Sequence, residues 1–140
     1  MMLTLLLLAC APDLPAGWED ATLIKDFSQN ECVGDPYGEY TSTVTASLVG
    51  QGTEVTADQV PFRCAQDVEG YLRWEGPLAQ ILIQPVDMNP TAVAGCDCLY
   101  RLDMGLEEPA DEVAVWRRWD NINDPNDPVE VGTAVVGGAE

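Results

Sequence analysis

The chain has 140 residues, with 24 acidic and 6 basic side chains, no histidine and a formal net charge of -18. Such a balance repels phosphate backbones and anionic headgroups, and so argues against nucleic-acid binding. The missing histidine removes the commonest general base and every Ser-His or Cys-His nucleophile pair.

The chain opens MMLTLLLLAC. Residues 3–9 are too short to cross a bilayer, which takes about 20 residues as a helix. They suit the apolar core of a secretory signal. Leu7-Leu8-Ala9-Cys10 resembles the lipobox of bacterial lipoproteins. The resemblance implies that residues 1–9 are a signal peptide cut off before Cys10. It also implies that Cys10 is lipidated with diacylglycerol and an acyl chain such as palmitate. Ala11 follows, without the Asp that marks inner-membrane retention in some members of that class, which favours the outer membrane. With no basic cluster in the chain, membrane attachment would come from the lipid anchor.

Residues 10–17 then read as the lipidated cysteine and a Pro-containing tether, and 18–137 as one domain followed by a tail at 138–140. Within the domain, strands dominate: short runs rich in Val, Ile, Thr and aromatics, broken by Gly, Pro, Asn and Asp. The first is 22–27 (TLIKDF), followed by a turn-rich loop at 30–39. Residues 40–49 (YTSTVTASLV) alternate most clearly and are expected to bury one face. Gly50-Gln51-Gly52 turns the chain. Strands are expected at 60–64 (VPFRC), where Pro61 implies an edge or a strand start, at 71–75 (YLRWE) and at 78–86 (LAQILIQPV). The stretch 93–104 places Cys96, Cys98, Tyr100 and Leu102 on one face, with Leu99 breaking the pattern. Strands at 112–119 (EVAVWRRW) and 129–136 complete the set. Residues 67–71 and 107–112 could each hold one helical turn. The expected fold is all-β, an antiparallel β-sandwich of about 7–8 strands.

Five cysteines are an odd number for an exported chain. Assigning Cys10 to lipid leaves Cys32, Cys64, Cys96 and Cys98, which an oxidising compartment would join in two disulfides. Cys96 and Cys98 stand about 6.6 Å apart on one strand face with parallel side chains, poorly placed to bridge each other. Each should reach Cys32 or Cys64, and both connectivities stay open. The competing reading is a metal site on C-x-C.

No nucleotide-binding or hydrolase motif occurs. Residues 120–130 (DNINDPNDPVE) offer oxygen ligands, with Asp120, Asp124 and Asp127 as calcium candidates. Turn-forming Asp, Asn and Pro explain the same composition. If Val113 and Val115 face the core, Trp116 lies outside beside Arg118 as a candidate binding surface; a covering loop is the alternative. Trp74, in step with Leu72, is expected in the core, and Trp18 is expected to plug the domain end. The functional expectation is a lipid-anchored protein of the bacterial cell envelope, in the periplasm or on the cell surface. Its domain would be non-catalytic and would bind an envelope protein or a glycan. A calcium-dependent binding module and a small carboxylate-based hydrolase are the alternatives.

Overall fold

The structure, a computed structural model, describes residues 13–88, 96–119 and 127–137. These contain nine strands and no helix. The strands are β1 (Thr22–Leu23), β2 (Asp26–Gln29), β3 (Thr43–Val49), β4 (Gly52–Arg63), β5 (Val68–Glu75), β6 (Leu78–Pro85), β7 (Asp97–Leu106), β8 (Glu112–Arg117) and β9 (Val129–Val135). They form a five-stranded sheet, β1-β5-β6-β8-β9, facing a four-stranded sheet, β2-β7-β4-β3. The fold is an all-β sandwich.

Several details differ from expectation, among them β4, which begins at Gly52 and not at residue 60. The sandwich is not wholly antiparallel, because β6 and β8 run parallel. The chain crosses to the other sheet as β7 between them, so both enter their sheet in the same direction. The expected strand at 22–27 is two strands, split at Ile24 and Lys25 as the chain passes from one sheet to the other. Residues 67–71 and 107–112 hold no helical turn: Val68 begins β5, and Glu112 begins β8.

Strand alternation builds the core. Val55, Ala57, Val60 and Phe62 of β4 meet Cys98, Tyr100, Leu102 and Met104 of β7. Ala79, Ile81 and Ile83 of β6 and Val113 and Val115 of β8 supply the opposite layer. Each fully buried aliphatic side chain contributes about 1.5–3 kcal/mol. On β4 the apolar positions shift parity between Ala57 and Val60. A bulge absorbs the extra residue, with Gln59 at φ 56°, and returns Val60 and Phe62 to the core face. β3 pairs with β4 only as far as Asp58, so Pro61 sits where β4 has become an edge.

Backbone hydrogen bonds tie the two sheets together at both sides. On one, Gly137 N–H donates to Ala46 O (3.2 Å), joining the strand β3 to the segment after β9. On the other, Ile24 N–H donates to Gly70 O (2.8 Å) at the sheet crossing.

On the outer face of β7, Asp103 gathers Thr56 Oγ1 (2.8 Å), Asn30 Nδ2 (3.2 Å) and the Arg101 guanidinium (3.4 Å). Partial burial works against its charge, but these donors together hold its carboxyl below the usual range. Its contribution to stability is therefore complete above the unfolded carboxyl pKa of about 4 and is lost as pH falls through the lower folded value. Asp103→Asn is expected to be less stable than wild type at pH 7. The difference should vanish toward pH 2 in urea unfolding followed across that range.

Candidate functional site

The four cysteines after Cys10 converge at one end of the sandwich. Cys32 bonds Cys98 (Cα–Cα 5.5 Å) and Cys64 bonds Cys96 (Cα–Cα 5.4 Å). β4 and β7 bring them together: Arg63 faces Asp97, and Cys64 N–H donates to Cys96 O (2.9 Å). Cys32 arrives on a segment beside β7, where Val33 N–H donates to Leu99 O and Leu99 N–H to Gly34 O (3.0 and 3.3 Å). Leu99, out of step with its neighbours, is buried under that segment, with Gly34 closely over it.

The sulfurs of Cys64, Cys96 and Cys98 lie within 4.8 Å of one another. In disulfides they carry no thiolate, which a zinc-type site requires, so this cluster is a cross-link in its present state.

Trp116 and Arg118 do lie on the outer face of the five-stranded sheet, but under cover. Arg118 is buried, and its Nη1 donates to Asp13 O (2.7 Å) and Gln84 Oε1 (3.3 Å). Gln84 Nε2 donates to the same Asp13 carbonyl (3.0 Å). Trp116 joins Leu14, Trp18, Tyr71 and Leu82 in a second apolar cluster. Trp18 is 4% exposed, and the Arg73 guanidinium lies over its ring, 3.9 Å from the centroid. Arg73 also donates to Gly17 O and to Gln80 Oε1. The expected exposed Trp–Arg pair is thus a covered seat for residues 13–18. Trp116 Nε1 is buried without a hydrogen-bond partner among the described residues.

Trp74 meets solvent, at 37% exposure, which corrects its expected place in the core. It shares a sheet face with Leu72 but lies past the cover given by the β1–β2 crossing. There it lines an open cleft of ≈ 460 Å³ with Leu23, Lys25, Asp26, Leu72, Glu107 and Glu108. An indole face beside carboxylates and one ammonium can stack on a sugar ring and bond its hydroxyls, or receive a cationic side chain. No sequence pattern marked this cleft, because its lining comes from the sheet crossing and the end of β7, over 80 residues apart in the chain.

Cys10, Asp120 and Asp124 lie outside the described residues. Asp127 is exposed just before β9.

The double variant Cys64→Ala/Cys96→Ala opens a cross-link spanning 32 residues and is expected to lose about 4 kcal/mol in guanidinium unfolding. Trp18→Ala is expected to cost about 3–5 kcal/mol in the same assay, because it uncovers Leu82. No family model, no curated protein and no solved structure matches this chain.

Proposed function

We propose that the chain is a lipid-anchored bacterial envelope protein whose sandwich binds a protein or glycan partner without catalysis. One observation carries the anchor. The four cysteines after Cys10 are consumed by each other, which leaves Cys10 the single cysteine with no disulfide mate in the chain. In the lipobox-like sequence LLAC its thiol is the group that accepts lipid. Two disulfides favour an oxidising, exported compartment. Ala11 after Cys10 favours the outer membrane. The Trp74 cleft is the candidate recognition surface, since it combines an exposed indole with carboxylates from two different elements.

The intact mass of the protein from the membrane fraction, before and after reduction and alkylation, tests this. The expected result is loss of residues 1–9, added acyl chains, and four thiols reactive only after reduction. An unlipidated chain with free thiols would overturn it.

A further inference from the structure

Beyond the presence of an anchor, we infer which end of the domain the anchor holds against the membrane. This inference rests on lipidation of Cys10. The occupant is the bilayer surface that carries that lipid.

The first support is reach. Three peptide links separate Cys10 from Asp13, and three links span at most about 11 Å between Cα atoms. Asp13 does not swing freely. Its carbonyl is held by Gln84 and Arg118, and Leu14 and Trp18 continue the attachment along the outer face of β6. The domain therefore has almost no slack. Whatever surrounds Asp13 stays close to the headgroups.

The second support is what surrounds it. Asp13 sits at the end of the sandwich where β6 and β8 finish and β5 and β9 begin. The disulfides lie at this end as well. Here Val86 and Val129 are 56% and 58% exposed, and of the arginines at this end Arg118 is buried against Asp13 and Gln84. Asp13, Asp35, Asp67, Asp87, Asp97 and Asp127 stand at this end as well. The opposite end carries exposed Glu75, Glu107, Glu108, Asp111 and Glu112 around the β5–β6 turn and the β7–β8 connection. Both ends are acidic, so the reach from Asp13, and not charge, sets which end lies nearer the headgroups.

We propose that the disulfide end of the sandwich faces the bilayer, with Val86 nearest the headgroups, and that the Trp74 cleft faces away. Gln84 and Ala79, the β6 partner of Trp74, are five residues apart on one strand, which is about 17 Å. The cleft then stands clear of the headgroup layer and open to a partner in solution.

The test uses the full chain, isotopically labelled, recovered from the bacterial membrane fraction and placed in nanodiscs carrying a headgroup spin-labelled lipid. Intact mass first establishes whether Cys10 is acylated. On the acylated protein, the amides of Val86, Asp87 and Trp119 are expected to broaden at least several-fold more than those of Gly50, Gly76 and Glu108. A Gly-Ser insertion of about ten residues between Ala11 and Asp13 should level that contrast, because it restores slack. Uniform broadening, or broadening strongest at Gly76 and Glu108, on acylated protein would overturn the orientation and leave the anchor intact. A mass without acyl chains would overturn the anchor, and the orientation with it.

Discussion

The structure depends on a strand that is apolar on both faces. β6 turns Ala79, Ile81 and Ile83 into the space between the sheets and Gln80, Leu82 and Gln84 outward, and all six are buried. A strand of this kind needs two covers, and its parallel partner β8 shares that need. The four-stranded sheet provides one cover. Residues 13–18 provide the other, with Trp18 on Leu82 and the Asp13 carbonyl on Gln84. The buried amides of Gln80 and Gln84 are satisfied by Arg73, Glu75, Asp13 and Arg118, so the polar groups under the strap carry little desolvation penalty. What looks like a linker is therefore part of the fold.

Much of this was legible in the residues. Alternation at 40–49 and 93–104 marked the strands found at Thr43–Val49 and Asp97–Leu106, although Leu48, expected on the buried face, is 42% exposed at the sheet edge, and the cysteine count set two bridges. Two apolar signals were ambiguous for a physical reason. ILI at 81–83 is the mark of a strand buried on both sides, yet a period-two reading assigns it only one buried face. The partner that covers it, DLPAGW, has no periodicity because it is not a regular element: its hold comes from the Asp13 and Gly17 carbonyls and the side chains of Leu14 and Trp18. The parity rule placed Trp116 and Arg118 on the outer face, where they are. Exposure does not follow from parity when a remote segment lies over the sheet. Trp74 shows the converse, since it has core parity but lies past the edge of the opposing layer. The strand at 53–59 was hidden by its bulge, which breaks the alternation at Asp58 and Gln59.

The acidic surface and the covered sheet have a joint effect on where a partner can engage. One outer face is occupied by the strap, and single backbone hydrogen bonds at Gly137–Ala46 and Ile24–Gly70 tie the two sheets together at their sides. The cleft at the sheet crossing combines concavity, an exposed aromatic and charge. It lies among the ends of four elements and not on a sheet face, so its shape can vary in sequence without disturbing the core.

The bridges have a consequence for the order of events in a new chain. Cys64–Cys96 is nested within Cys32–Cys98, and both depend on residues in the last third of the sequence. β7, the strand that joins β2 to β4, comes from the same late stretch. A chain made from its amino terminus has no cross-link before residue 96 and no complete four-stranded sheet before β7 ends at Leu106. Cys32 and Cys64 therefore wait for their partners, and the covalent locking of the sandwich is a late event.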